Sequence, residues 1–92
     1  MKPIRWSAEK SLSLKAERGV SFEEILSAIS QDGLLKIMEH PNQAKYGHQK
    51  MFVVRIREYA YLVPYVESNQ EIFLKSIIPS RKATRDFLTG GK

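Results

Sequence analysis

The sequence predicts an α+β domain made of two N-terminal helices, a four-stranded and mainly antiparallel sheet, and a C-terminal helix. Two observations indicate this class. Up to Gly33, apolar residues recur at helical spacing behind serine residues that can cap helices. After Gly33, runs rich in β-branched and aromatic residues follow one another with short connections, which is typical of antiparallel strands. Helices and strands therefore occupy separate parts of the chain, as in other α+β domains.

Each N-terminal helix has a start signal and a stop signal. Ser7 can cap the first helix, and Gly19 tolerates the left-handed conformation that often ends a helix. Ser21 and Glu24 have the spacing of a capping box at the start of the second helix, and Gln31-Asp32-Gly33 ends it. The predicted helices span 8–18 and 22–30.

Four later segments have the composition of strands. The last three are joined by short connections, which predicts a meander, but neither turn contains the Asn-Gly or Asp-Gly pair that would define a register. Pro64 has no N–H to donate to a neighbouring strand, so we expect a bulge or an unpaired position there. The predicted strands span 34–39, 51–57, 59–66 and 71–78.

The C-terminal helix is predicted from Pro79 and Ser80. Pro79 stops the preceding strand, and Ser80 can cap a helix over 81–88. We expect 89–92 to fray and 1–92 to form a single domain, because a chain of 92 residues is large enough for one modest core.

Pairing the last three strands in the simplest register separates two sheet faces. The first face is apolar enough to lie under the helices, and it contains Met51, Val53, Ala60, Leu62, Val66, Ile72, Leu74 and Ile78. The second face contains Phe52, Val54, Ile56, Tyr59, Tyr61, Val63, Tyr65, Phe73, Lys75 and Ile77. Tyrosines beside a cation suit the binding of bases and phosphates. The alternative, favoured for the aliphatic members, is a second core layer closed by the C-terminal helix.

Charge and cysteine content narrow the function classes. Residues 1–44 carry six basic and six acidic side chains, whereas 45–92 carry nine basic and four acidic, so the net charge of +5 comes from the second half. This asymmetry indicates an anionic partner, most often nucleic acid, with a solvated basic surface as the alternative. The absence of cysteine excludes disulfides and thiolate nucleophiles. We expect a cytoplasmic protein without a membrane partner, because no segment has the apolar run of a signal peptide or a membrane span.

The last predicted helix carries a cluster of cations. Arg81 and Arg85 are four residues apart and share a helix face, and Lys82 lies three residues before Arg85. Together with the N–H groups at the helix start, these side chains would attract a phosphate and stabilise the charge that develops during phosphodiester cleavage. The alternatives are a solvated helix surface and a basic patch that binds an acidic protein.

Metal-free RNA cleavage needs a base for the 2′-hydroxyl, an acid for the leaving 5′-oxygen and a cation for the phosphate. His40 and His48, at the ends of a polar loop, are candidates for the proton transfers, and an ordinary surface role is their alternative. Lys75 is a further candidate for the phosphate. The remaining candidates for RNA binding or catalysis are Glu39, Lys50, Tyr61, Tyr65 and Lys82.

Metal ions and cofactors are not expected. Glu39, His40 and His48 are too few and too irregularly spaced to specify a metal site. The sequence contains no glycine-rich phosphate loop and no dinucleotide fingerprint.

Both ends of the chain resemble the BrnT family of bacterial toxins. The start, with Ile4-Arg5-Trp6-Ser7 and Lys10 followed by Arg18-Gly19-Val20-Ser21-Phe22-Glu23-Glu24, is similar to the family pattern F-x-W-D-x-x-K and H-G-V-S-F-E-E. The end, Ile77-Ile78-Pro79-Ser80-Arg81-Lys82-Ala83-Thr84-Arg85, resembles its I-I-S-A-R-K-A-T signature. The sequence departs from the patterns at Ser7, Arg18 and Pro79-Ser80.

The resemblance implies a RelE-like fold with a curved antiparallel sheet and the activity of a toxin in a type II toxin–antitoxin system. Such a toxin is a metal-independent endoribonuclease that inhibits translation, and it would bind RNA as its substrate. The implied partner is a cognate antitoxin, commonly with a ribbon-helix-helix part, and the complex would bind operator DNA. The resemblance supports Arg81 and Lys82 as site residues. A non-catalytic RNA-binding module and an antitoxin-dependent co-repressor are the alternative functions.

Overall fold

The computed structural model describes residues 2–39, 43–46 and 49–88. The described part contains three helices, one four-residue helical turn and six strands. In chain order the elements are β1 (Ile4–Arg5), α1 (Ala8–Arg18), α2 (Phe22–Ser30), β2 (Leu34–Glu39), α3 (Gln43–Tyr46), β3 (Gln49–Ile56), β4 (Tyr59–Glu67), β5 (Ile72–Leu74), β6 (Ile78–Pro79) and α4 (Arg81–Phe87). The α+β class predicted from the sequence is confirmed.

The helices begin and end where their local signals predict. The Ser7 hydroxyl accepts the N–H of Lys10, and Gly19 ends α1 with φ of 76°. Ser21 and Glu24 form a complete capping box at the start of α2. The bounds of both helices agree with the prediction because these signals act within a few residues.

The sheet differs from the prediction in its number of strands. Its order is β1-β5-β4-β3-β2, and β6 pairs with β4 beyond the end of β5. β1 pairs parallel to β5, and the other pairs are antiparallel. The two-residue strand β1 was not predicted, because a segment this short has no periodicity.

The predicted strand over 71–78 is divided into β5 and β6 at the level of Pro64. The bulge or unpaired position expected at Pro64 is absent on the β3 side, where Pro64 pairs with Met51 in unbroken register. On the other side the Pro64 carbonyl oxygen accepts the N–H of Lys75 at 2.8 Å, although Pro64 itself has no N–H to donate. The chain then turns Ile77 into the core, where it is fully buried. Regular pairing with β4 resumes only at Ile78.

The faces of the sheet are the reverse of the prediction. The face with Phe52, Val54, Val63 and Tyr65 packs against Leu14, Val20, Phe22 and Ile25 of the N-terminal segment, and we call it the α1–α2 face. The opposite face, called the α4 face, packs Val53, Ala60 and Leu62 against Ala83 and Leu88. The prediction was wrong because both faces of the central strands are apolar, so their composition does not say which helices cover them.

The register of β5 also differs from the simplest pairing. Tyr65 pairs with Leu74 and Val66 pairs with Phe73, which moves Ile72 and Leu74 to the α1–α2 face and Phe73 to the α4 face. The turn before β5 sets this register, because the Ser68 hydroxyl accepts backbone N–H groups of the two residues before Ile72 at 3.2 and 3.1 Å.

No helix in the described part of the chain is long and apolar enough to cross a membrane.

Candidate nucleic-acid interface

Helix α4 is fixed to β4 by a set of polar contacts. The Ser80 hydroxyl accepts the N–H of Ala83 at 3.0 Å, and the Ser80 N–H donates to the Ala60 carbonyl oxygen at 3.0 Å. The Thr84 hydroxyl accepts the Ala60 N–H and donates to the Ser80 carbonyl oxygen, both at 2.8 Å. These bonds hold the helix in one orientation and so determine where its cations lie.

A groove separates the start of α4 from β2. Lys82, Asp86 and Phe87 of α4 line one side, and Lys36 and Met38 of β2 line the other. Leu62, Ser80 and Ala83 complete this α4–β2 groove, whose volume is about 260 Å³. Two lysines from separate elements therefore border one apolar depression.

Cross-strand pairing places Lys75 on the same side of the sheet. Lys36 pairs with Val53, Val53 with Leu62, and Leu62 with Ile78, which forms one row across the α4 face. Met38, Met51 and Pro64 form the next row, about 7 Å away along the strands. Lys75 lies at the end of that second row, with its Nζ 5.5 Å from the centre of the Phe73 ring.

Lys36, Lys75 and Lys82 are three of the cations on this side of the sheet. Among the described residues, none of the three forms an ion pair with a carboxylate. Two carboxylates near these lysines have an arginine neighbour: Asp86 is 3.4 Å from Arg85, and Glu71 is 3.7 Å from Arg5. The α4 face thus has excess positive charge around an apolar floor, which suits a nucleic-acid strand.

The predicted cation cluster is only partly assembled in the structure. Lys82 lines the α4–β2 groove, whereas Arg81 and Arg85 are exposed on α4 outside the groove lining. The N–H of Ala83 at the helix start is already bound by Ser80. That N–H is therefore not available to a phosphate at this end of α4.

Three other candidates lie on the opposite, α1–α2 face. Tyr65 is 2% exposed and stacks on Phe52 with 4.1 Å between ring centres, so it offers no surface to RNA. Burial, with a contribution from Glu67, raises the pKa of Tyr65. Tyr61 packs against the core cluster of the same face, and Lys50 pairs across the sheet with Tyr65 and Glu39. The sequence placed Tyr61 and Tyr65 on one face with Lys75, but the structure puts them on the face opposite Lys75.

Three carboxylates away from the α4 face, those of Glu23, Glu24 and Glu67, have local ion pairs or hydrogen bonds. The Lys15 ammonium, 2.8 Å from Glu24, holds the pKa of that carboxyl below its ordinary value. Lys2 has the same effect on the pKa of Glu67, also at 2.8 Å. A hydrogen bond from the Ser11 hydroxyl lowers the pKa of Glu23. These contacts stabilise the fold away from the α4 face.

His40 and His48 lie outside the described residues, so their proton-transfer roles stay predictions. Glu39 ends β2 opposite Lys50. In the described part of the chain, no group of three or more histidine, cysteine, aspartate or glutamate side chains could hold a metal ion.

Sequence reasoning missed Lys36 and the position of Phe73. Lys36 is a single cation in the apolar run LLKIME, and a register shift between Leu34 and Lys36 obscures which face it occupies. Phe73 was assigned to the wrong face because its register depends on the turn before β5. The lone lysine in an apolar strand was the available signal for Lys36.

Comparisons with protein-family models, with curated proteins and with solved structures found no match.

Proposed function

We propose that this chain is the toxin of a type II toxin–antitoxin pair and has a RelE-like fold. Its activity would be metal-independent cleavage of RNA, which inhibits translation. The observation that carries the proposal is that β2, the segment after β5, and α4 place Lys36, Lys75 and Lys82 on one side of the sheet. The resemblance of both chain ends to the BrnT patterns supports it, because the terminal motif includes Lys82.

The proposed reaction uses these cations to bind the RNA backbone. The lysines contact phosphate oxygens, and Arg81 and Arg85 stabilise the negative charge that develops on the phosphate under attack. The 2′-hydroxyl oxygen forms a bond to phosphorus while the bond to the 5′-oxygen breaks. The products are a 2′,3′-cyclic phosphate and a free 5′-hydroxyl.

Two proton transfers complete this reaction. A base removes the proton of the 2′-hydroxyl, and an acid donates a proton to the leaving 5′-oxygen. We assign these roles to His40 and His48, without deciding which residue has which role. A side chain whose pKa is near neutrality suits both transfers.

The proposed partner is a cognate antitoxin with a ribbon-helix-helix part, and operator DNA would be bound only by the complex. An acidic antitoxin segment would complement the excess positive charge of the second half of the chain.

A second candidate function is RNA binding without cleavage, either alone or as a co-repressor with the antitoxin. The observation that favours it is that the described part of the α4 face offers cations around an apolar floor, which suit binding of a strand but do not supply a general base. The two functions differ in turnover, and in the effect of His40→Ala, which should abolish cleavage and leave RNA affinity unchanged only in the enzyme.

The experiment is induced expression in bacteria, followed by growth curves and total-RNA integrity. We expect growth arrest with RNA loss for the wild type, weaker arrest for Arg81→Ala and Lys82→Gln, and no arrest for His40→Ala. The matched control is Lys10→Gln, which removes an exposed lysine of α1 and should behave as the wild type. Normal growth and intact RNA with confirmed soluble wild-type protein would contradict the toxin function.

A further inference from the structure

We infer that the Phe73 ring is a stacking platform for one unpaired base of a single-stranded RNA, with Lys75 contacting the adjacent phosphate. The inference rests on the proposed function for the class of ligand, and it adds a base-binding position to the phosphate contacts described above. It involves a residue that the sequence placed on the other side of the sheet.

The register of β5 places Phe73 on the α4 face. Phe73 pairs with Val66 of β4 on one side and with Arg5 of β1 on the other, so these residues form a third row on the α4 face. This row lies beyond the rows of Pro64 and Leu62, whereas α4 packs on Val53, Ala60 and Leu62. The ring therefore lies on a part of the α4 face that is distant from the contacts of α4.

The Phe73 ring is more exposed than the phenylalanine rings of the core. Phe22 and Phe52 belong to the core cluster of the α1–α2 face and have aromatic neighbours, Trp6 at 6.1 Å and Tyr65 at 4.1 Å between ring centres. Phe73 belongs to neither described core cluster and is partly exposed. A partly exposed ring on a sheet surface is the arrangement that stacks bases in proteins that bind single strands.

Two cations lie beside the Phe73 ring. The Lys75 ammonium lies over the ring, and Arg5 is next to Phe73 in the same row. Lys75 is exposed, so its ammonium can move from the ring to a phosphate oxygen without losing a buried contact. Base stacking is stronger than an exposed cation–π contact, so an incoming base displaces the ammonium.

Affinity for an RNA analogue that cannot be cleaved tests the inference. The probe is a fluorescent oligonucleotide in which every sugar is 2′-O-methylated, and a second probe has the same backbone without bases. We expect the wild type to prefer the strand with bases. Phe73→Leu should bind that strand about tenfold more weakly and lose most of the preference, because stacking needs an aromatic ring.

Two further variants test whether the loss of affinity is specific to the Phe73 ring. Tyr59→Leu removes a ring at the start of β4 whose neighbour is Tyr61, and this variant should bind as the wild type. Phe73→Trp should retain the preference for bases, and its added indole fluorescence should change when the strand with bases binds. The second variant remains informative if Phe73→Leu folds poorly.

Two results would overturn the inference. They are equal affinity of the wild type for both probes, and an indole in Phe73→Trp whose fluorescence is unchanged at saturating probe. If the proposed RNA cleavage is wrong but the inference is right, natural RNA stays intact while the methylated strand still binds through Phe73.

Discussion

Gly33 lies where the neighbouring backbone leaves no room for a Cβ atom. A Cβ atom at this position would lie 2.6 Å from the Ala28 carbonyl oxygen and 2.9 Å from that of Arg55. Both backbone segments are held in place, because the Gly33 N–H donates to Ala28 and the Gly33 carbonyl accepts from Arg55, each at 2.7 Å. The neighbours cannot move aside without loss of these bonds.

We therefore predict that Gly33→Ala lowers the free energy of unfolding by about 3 kcal/mol, the upper part of the usual range for overpacking. Gly19→Ala is the comparison. Gly19 has φ of 76° and no atom within 4 Å of its added Cβ, so that variant bears only the backbone penalty of about 1 kcal/mol. Urea unfolding of both variants measures the difference. An equal loss at both positions would contradict the steric explanation.

Glu24 gives the fold an acid-sensitive contribution. Its carboxylate is 2.8 Å from Lys15 and accepts the Ser21 N–H at 2.9 Å, and these contacts lower its pKa. A lowered pKa in the folded state means that the stabilisation is present near neutral pH. It is lost as the pH falls below the ordinary glutamate pKa and through the lowered one.

The prediction is that Glu24→Gln is less stable than the wild type at neutral pH and that this difference shrinks on acidification. Thermal unfolding over a series of pH values measures it, with the exposed Glu17→Gln of α1 as the control. A stability difference that grows as the pH falls would show that the sign is wrong.

Tyr65 and Phe73 show what the sequence can predict for single residues. The sequence placed the tyrosines and Lys75 on one face, which was wrong, and it could not show that Tyr65 is buried, because burial depends on which helices cover each face. Because a shift of one residue exchanges the faces, the absence of a register signal in the turn at Ser68 prevented a correct assignment of Phe73.

At the level of elements, the attachment of α4 to β4 depends on Thr84. Its hydroxyl is the acceptor for the N–H of Ala60, a fully buried residue. Thr84→Val has nearly the same shape but leaves that N–H without an acceptor, which costs about 1–3 kcal/mol. We predict a lower melting temperature for Thr84→Val, by roughly 4–8 °C for each kcal/mol.

Thr84→Ser is the matched control, because it retains the hydroxyl and removes only a methyl group. Its melting temperature should stay closer to that of the wild type than the melting temperature of Thr84→Val. A larger loss for Thr84→Ser would mean that packing of the methyl group, and not the hydrogen bond, attaches α4.

The elements differ in how far the sequence could predict them. The bounds of α1 and α2 follow from capping residues within the same short segment, so local reasoning was sufficient. β1 and the division between β5 and β6 depend on partners distant in the chain, namely Ile72 for β1 and Pro64 for the division. No local signal contains that information.

At the level of the whole molecule, the excess positive charge of the α4 face predicts how RNA binding responds to salt. Each lysine that contacts a phosphate releases counterions from the strand, and for single strands each contact contributes about −0.7 to the slope of log affinity against log salt. We predict that Lys36→Gln and Lys82→Gln each reduce the magnitude of that slope by roughly this amount.

Anisotropy titrations of a 2′-O-methylated strand at several salt concentrations measure the slopes. Lys10→Gln should leave the slope unchanged, because Lys10 is on α1. Equal slopes for the wild type and both groove variants would exclude the α4–β2 groove as a phosphate site.

The proposed function depends on cleavage of RNA by attack of the 2′-hydroxyl without a metal ion. The most direct measurement is incubation of purified protein with end-labelled RNA in excess EDTA, followed by analysis of the product ends. We predict fragments with 2′,3′-cyclic phosphate and 5′-hydroxyl ends, less product with Lys82→Gln, and no cleavage of a 2′-deoxy strand. RNA that binds to the α4 face but stays intact at high protein concentration would contradict RNA cleavage and leave binding without catalysis as the function.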